Sequence, residues 1–194
     1  NLVNRVLNMT RRYFDGVVLE PGELSAADDA LLAAVDEGFA TLAEFYDGCK
    51  FRAAVQEVLR LSTLVNQYLE ETSPWTAVKR DRDAAGRALY VALQALSGLK
   101  VLWAPVLPFT SQQLHEMLGE DGTLFGEQVV RHYHEATRAH YALTYDGATA
   151  VGRWERAYVP AGRQLPPPQP LFKKLEPEQI EQERARLGPR PSVQ

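Results

Sequence analysis

Apolar residues recur at intervals of three to four positions along most of the chain, which is the spacing of amphipathic α-helices. This pattern predicts helices at residues 1–14, 25–47, 51–71, 83–103, 110–118 and 177–187. Ser25 and Asp28 form a capping-box pattern, and Pro74 fits the first position of a further short helix. Residues 83–103 are apolar nearly all round, as in a helix buried within a bundle. The pattern therefore predicts an all-α protein built as an antiparallel helical bundle.

The pattern changes after Gly119. Residues 129–145 are compatible with strand or helix, and Asp146-Gly147 carries a hairpin signal. The proline-rich stretch 159–170 predicts an extended connector on the surface. We therefore expect a helical bundle, an irregular insertion with its connector, a C-terminal segment and helix that pack back on the bundle, and a tail or linker, at residues 1–119, 120–170, 171–188 and 189–194.

Composition limits the classes of partner. The 194 residues carry 21 Lys and Arg against 25 Asp and Glu, a net charge of -4. This balance argues against a wide nucleic-acid-coating surface but allows a local contact with a few nucleotides. The single cysteine, Cys49, excludes an intrachain disulfide framework and fits a reducing compartment. No apolar run has the length of a membrane span, so no membrane partner is expected.

The chain offers little that resembles an active site. His132 and His134 share a face only if their segment is a strand, and a solvated surface pair is the more common case. The P-loop, nucleophile-elbow and H-E-x-x-H motifs are absent from the sequence. The first residues lack an initiator Met and have the pattern of an amphipathic helix, not of a signal peptide. We expect a non-catalytic fragment of a longer protein, without a cofactor or metal of its own.

The candidate binding residues surround Trp75. This indole follows Pro74 at a helix start, where its position is rigid. It can serve as a packing plug or as a platform for a stacked base. Asn1 and Arg5 lie one helical turn apart and can contact base edges, a combination by which proteins recognise single-stranded RNA loops. Candidate phosphate contacts are Arg11 and Arg12, or Lys79, Arg80 and Arg82. The pattern alone leaves an RNA-binding bundle and a protein-binding scaffold both open.

Four segments occur in the order found in one family: NLVNRVLNMTRRYFDG, RAAVQEVLRLSTLVNQYLEETSPW, YVALQALSGLKVLWAPVLPFTSQQLHEMLG and PLFKKLE. Together they resemble the anticodon-binding half of bacterial methionyl-tRNA synthetases, which are class I enzymes, over residues 1–119 and 164–188. The resemblance implies a cytoplasmic parent enzyme that couples methionine to its tRNA with ATP. It also implies that ATP and, in some relatives, zinc bind a catalytic half whose H-I-G-H-like and K-M-S-K-S-like motifs are absent here.

The resemblance assigns roles to four residues and two partners. Asn1 and Arg5, in the N-L-x-x-R motif, would contact the first base of the CAU anticodon, a cytosine. Trp75 would stack on that base, and Pro74 would orient the indole. The partners would be the anticodon loop of methionine tRNA and the enzyme's own catalytic domain, with residues 170–175 joining the two halves.

Residues 129–152 depart from this pattern, so the resemblance says nothing about their role. The leucyl, isoleucyl, valyl and cysteinyl synthetases share the bundle but not the full set of motifs, and they are the alternative within the same class.

Overall fold

The computed structural model describes residues 1–172 and 175–186. Its helices and strands, in chain order, are α1 (Leu2–Phe14), α2 (Ala26–Asp47), α3 (Phe51–Thr72), α4 (Pro74–Ala77), α5 (Arg82–Trp103), α6 (Pro108–Met117), β1 (Gln128–His134), β2 (Ala139–Tyr145) and α7 (Pro177–Arg186). The predicted helices are confirmed, with their ends within about two residues of the predicted positions. The predicted capping box is also present: Ser25 accepts from the amide of Asp28, and Asp28 accepts from the amide of Ser25.

The centre of the bundle is α5, which packs against α1, α2, α3, α4 and α6. Its side chains are buried almost continuously from Ala85 to Leu102, as its apolar sequence predicts. The helices approach closely, because a Cβ atom added at Gly98 would lie 2.4 Å from Cγ1 of Val35 on α2. None of the helices in the described part of the chain combines the length and apolarity needed to cross a bilayer.

The all-α prediction is wrong for the insertion, where β1 and β2 form a two-stranded antiparallel hairpin. The strands pair from Gln128 with Tyr145 to His134 with Ala139, so the turn lies at residues 135–138. The turn predicted at Asp146-Gly147 is therefore misplaced. There the amide of Asp146 donates to the carbonyl of Glu127, and the Asp146 carboxylate accepts from Ala148 at the start of a single 3-10 turn. The Asp-Gly pair thus ends the hairpin instead of reversing it.

Residues 151–158, which lead from the hairpin to the predicted connector, are fixed to the bundle by side chains. Trp154 donates from Nε1 to the carbonyl of Phe39 at 3.0 Å, and its ring makes an edge contact with the Phe39 ring. Arg156 forms a bidentate pair with Asp36, with both N–O distances at 2.7 Å. This segment therefore covers one side of the bundle through polar anchors and aromatic packing. In the connector that follows, Val159 and Leu165 are buried in the core, so the predicted surface position is wrong for these two residues.

The C-terminal segment differs from its prediction. Leu171 packs against the core, but α7 is exposed over its whole length, so the expected packing of this helix on the bundle is not observed. The reason lies in its composition, since Ile180 is its one large apolar residue and the helix has no apolar stripe to bury. Residues 173–174 of the predicted joining segment and the predicted tail at 189–194 lie outside the described residues.

Candidate nucleic-acid interface

The candidate interface begins at the junction of α3 and α4. Ser73 has φ 43° and ψ 56°, a left-handed conformation that ends α3 and turns the chain into α4. Its hydroxyl donates to the carbonyl of Glu70 at 2.6 Å. Pro74 is buried at the first position of α4, where its ring restricts its own φ and the backbone of Ser73, and Trp75 is the next residue of this helix. The local sequence thus sets the position of the indole at this junction.

The structure brings Arg5 and Trp75 together. The guanidinium carbon of Arg5 lies 5.2 Å from the centroid of the indole ring, within the range of a cation–π contact. Arg5 Nη2 also donates to Glu70 Oε1 at 2.7 Å, so the guanidinium is held between a carboxylate and the indole. The Trp75 ring is partly buried and packs against the core. The Arg5 side chain is 33% exposed. The indole is therefore half-buried, with contacts to both the core and the Arg5 guanidinium.

Asn1 occupies the N-cap position of α1, one turn before Arg5. Its carbonyl accepts the amide of Arg5 at 2.9 Å, and its side chain makes no capping hydrogen bond. The Asn1 side chain is exposed. Asn1 lines two surface features. One is an apolar cavity of about 330 Å³ that reaches Trp103 on α5, and the other is a shallow groove along α1. Of the four predicted residues, Arg5 and Trp75 are thus in contact, Pro74 supports the indole, and Asn1 lies on the same helix as Arg5.

The shallow groove is a feature that the sequence analysis did not identify. It has a volume of about 340 Å³ and follows one face of α1; we call it the α1 groove, and its polar lining residues are Asn1, Asn4, Arg5, Asn8 and Arg12. These positions follow the three-to-four spacing of one helical face. The signal was therefore present in the polar residues of the helix. No comparable signal marked Glu70, because a glutamate on an exposed helical face is ordinary.

A buried hydrogen-bond network lies beneath the α3 end of the interface. The Tyr68 hydroxyl donates to Asp28 Oδ1 at 2.6 Å, and Arg87 Nε lies 3.3 Å from Asp28 Oδ2. Burial raises the pKa of Asp28, but the hydrogen bonds from Tyr68 and Ser25 and the charge of Arg87 outweigh it and hold this pKa below its usual value. The network joins α2, α3 and α5, and so fixes the end of α3 that carries the interface.

A second buried cluster is formed by Lys100, His115 and Glu120. His115 Nδ1 lies 2.7 Å from Glu120 Oε2, and Lys100 Nζ contacts the same carboxylate. Burial lowers the pKa of Lys100. Burial alone would raise the pKa of Glu120, but hydrogen bonds from His115 and Lys100 hold it below its usual value. Because these groups satisfy one another inside the bundle, we interpret the cluster as structural.

The histidine pair of the insertion lies on one face of β1. The ring centroids of His132 and His134 are 4.1 Å apart, and His132 stacks on Tyr141 of the partner strand. Within residues 1–172 and 175–186, no group of three or more His, Cys, Asp and Glu side chains is arranged to hold a metal ion. The pair is accordingly a surface feature of the hairpin.

Comparison with known proteins gives consistent results. Residues 18–191 match the family described as the anticodon binding domain of methionyl tRNA ligase. The methionine–tRNA ligases of Thermomicrobium roseum and Chloroflexus aggregans are 45% and 44% identical to this chain over 96% and 98% of its length. This chain covers 32% of each, so it spans about a third of the length of these relatives.

The fold is also known from solved structures. The crystal structure of the apo form of Mycobacterium tuberculosis methionyl-tRNA synthetase matches 91% of this chain with a TM-score of 0.70, at 24% identity and over 32% of that chain. The family match includes Pro74 and Trp75, while Asn1 and Arg5 precede its first residue. Because that match extends over most of the chain, the protein belongs to the family of anticodon-binding domains of methionyl-tRNA ligases.

Proposed function

We propose that this chain recognises the CAU anticodon of methionine tRNA, as the tRNA-binding part of a cytoplasmic methionine–tRNA ligase whose ATP-dependent catalytic domain lies outside it. The relatives that it matches are about three times its length, which leaves room for such a domain. The observation that carries the proposal is the contact between the Arg5 guanidinium and the Trp75 indole, 5.2 Å from guanidinium carbon to ring centroid, with Asn1 one turn away.

The chemistry of this site suits an unpaired cytosine. The pairing edge of cytosine presents acceptors at O2 and N3 and a donor at the N4 amino group. The Arg5 guanidinium supplies donors only, whereas the Asn1 amide supplies both a donor and an acceptor. A uracil would present a donor at N3 and would leave a guanidinium N–H without a partner. The indole stacks on any base, so it contributes affinity while the polar groups contribute selectivity.

The Arg5–Glu70 pair gives this site its orientation. A guanidinium held by a carboxylate at 2.7 Å has fewer orientations than a free one, which reduces the entropy lost on binding a base. The pair is accessible to solvent, since the Glu70 side chain is 60% exposed. We therefore assign Glu70 a positioning role at the Arg5 side chain.

Binding of two short RNA hairpins by the 194-residue chain tests the proposal. One hairpin carries CAU in its loop, and the other carries UAU. We expect tighter binding of CAU, and we expect Arg5→Ala to lose about 1–3 kcal/mol with CAU and much less with UAU, because its hydrogen bonds are specific to the first base. Trp75→Ala should weaken both complexes by about 1–3 kcal/mol, since stacking does not depend on the base.

Two controls are needed. Trp75 packs on the core, so Trp75→Ala also removes packing, and Trp75→Phe serves as the matched variant that keeps an aromatic face. Arg52→Ala removes an exposed arginine from the first turn of α3, at the opposite end of that helix from Glu70. It should leave the CAU preference unchanged. Equal binding of CAU and UAU by the unmodified chain would contradict the proposal, and binding of neither hairpin would favour a protein-binding scaffold.

A further inference from the structure

We propose that the α1 groove binds the sugar-phosphate backbone next to the base held by Trp75, with Arg12 as the phosphate contact. This inference rests on the proposed function, because it assigns a second contact to the same RNA strand. It also selects one residue among the candidate phosphate contacts suggested by the sequence. The partner is a single-stranded phosphodiester chain.

The groove and the base site are continuous. Arg5 lines the groove and also contacts the Trp75 ring, so the two features share one side chain. From Arg5 to Arg12 the helix advances by about 10 Å along its axis. An extended strand covers that distance within a very few nucleotides. A strand whose base lies on Trp75 can therefore follow the groove and reach Arg12 with a neighbouring phosphate.

The charge of α1 favours an anionic ligand. The helix contains Arg5, Arg11 and Arg12 and no acidic residue, in a chain whose net charge is -4. Arg12 is exposed, and its guanidinium carbon lies 5.6 Å from the centroid of the Tyr13 ring. Among the described residues, no carboxylate forms an ion pair with Arg12, whereas Arg5 is paired with Glu70. Arg12 thus presents an uncompensated charge at the end of the groove.

The groove also offers neutral hydrogen-bonding groups. The Asn8 side chain is exposed and donates to the carbonyl of Asn4 at 2.8 Å, which orients its amide. Amide side chains are common partners of ribose hydroxyls and phosphates. A row of amides that ends in an arginine is a surface on which a sugar-phosphate chain finds both kinds of partner.

A simpler explanation for Arg12 is that a cation in the last turn of a helix interacts favourably with the helix dipole. Arg11 occupies the same last turn and has the same charge, but it is not among the residues that line the groove. Its Nη1 atom donates to the carbonyl of Asp15 at 3.3 Å. Arg11 and Arg12 therefore share the dipole contribution and differ in access to the groove, which makes Arg11→Ala the matched control.

The test measures binding of the CAU and UAU hairpins by Arg12→Ala and Arg11→Ala at several salt concentrations. We expect Arg12→Ala to weaken both complexes equally, by about tenfold. Its slope of log affinity against log salt should be smaller in magnitude by about 0.7, the value for one phosphate contact with a single strand. Arg11→Ala should change neither quantity appreciably. Arg12→Lys keeps the charge and should restore most of the affinity.

The outcomes separate this inference from the proposed function. If Arg12→Ala binds like the unmodified chain, or if Arg11→Ala loses as much, the groove is not a backbone site, whatever the CAU preference. If the unmodified chain binds CAU and UAU equally but Arg12→Ala alone loses affinity, base recognition fails and the backbone site stands. A chain that binds neither hairpin overturns both.

Discussion

Removing the hydroxyl of Tyr68 should destabilise the bundle by an amount that depends on pH. Tyr68 is 5% exposed, and its hydroxyl donates at 2.6 Å to Asp28, which is itself 2% exposed. Tyr68→Phe keeps the ring and its packing and removes one hydrogen bond from a buried carboxylate. A hydrogen bond to a charged group contributes about 1.5–3 kcal/mol. We therefore expect the free energy of unfolding to fall by about 2 kcal/mol at neutral pH.

The sign of the pH dependence follows from the two pKa shifts. Burial, followed by the hydrogen bond to Asp28, raises the pKa of Tyr68, so the hydroxyl keeps its proton and remains the donor. The pKa of Asp28 is lowered from its usual 3.8 in the folded protein. A lowered pKa stabilises the fold above the unfolded value, and that contribution is lost as pH falls through the folded pKa. The difference between Tyr68→Phe and the unmodified chain should therefore be largest above pH 3.8 and shrink in more acidic solution.

Urea denaturation followed by circular dichroism, at neutral pH and at several acidic pH values, measures this difference. Tyr141→Phe is the control, because Tyr141 is 73% exposed on the hairpin and should change stability by less than about 0.5 kcal/mol. If Tyr68→Phe leaves the stability unchanged, or lowers it by the same amount at every pH, the hydroxyl does not stabilise the ionised Asp28 and the reasoning is wrong.

Two further predictions concern backbone positions. Gly98→Ala should lower the free energy of unfolding by about 1–3 kcal/mol, because the new methyl would meet the buried Val35, whereas Gly147→Ala, with open space around it, should be near neutral in the same thermal melts. If Gly98→Ala is as near neutral as Gly147→Ala, α5 and α2 can move apart without loss of stability. Ser73→Val should be less stable than Ser73→Gly by about 1–2 kcal/mol, since Ser73 has a φ of 43° that glycine adopts readily. Similar melting temperatures for these two variants would show that the backbone between α3 and α4 can leave the left-handed conformation at little cost.

The features that follow from local rules were predictable. The ends of α2, α3 and α5 depend on capping residues, proline positions and apolar spacing, which are all written in neighbouring residues. Trp75 could be placed at a rigid helix start for the same reason, since Pro74 marks the first position of that helix. The resemblance to one family was carried by short motifs in a fixed order, and it is confirmed by the match over residues 18–191. Hydrophobic patterning and local chain stiffness are therefore sufficient for most of the bundle.

Features that depend on distant residues were not predictable. The hairpin turn was misplaced because Asp146-Gly147 has the local chemistry of a turn, while the pairing of Gln128 with Tyr145 depends on the register of two whole strands. The network of Tyr68, Asp28 and Arg87 joins three helices and leaves no periodic trace in the sequence.

The candidate site divides in the same way. The sequence by itself determined which side chains are present and that Asn1 and Arg5 share one helical face, because helical spacing is a local property. Only the tertiary structure decided that Arg5 lies against Trp75 and Glu70, 65 or more residues away, and that α1 carries a continuous groove to Arg12. The physical reason is that the placement of α1, α3 and α4 around α5 is a property of the whole core, which no single segment encodes.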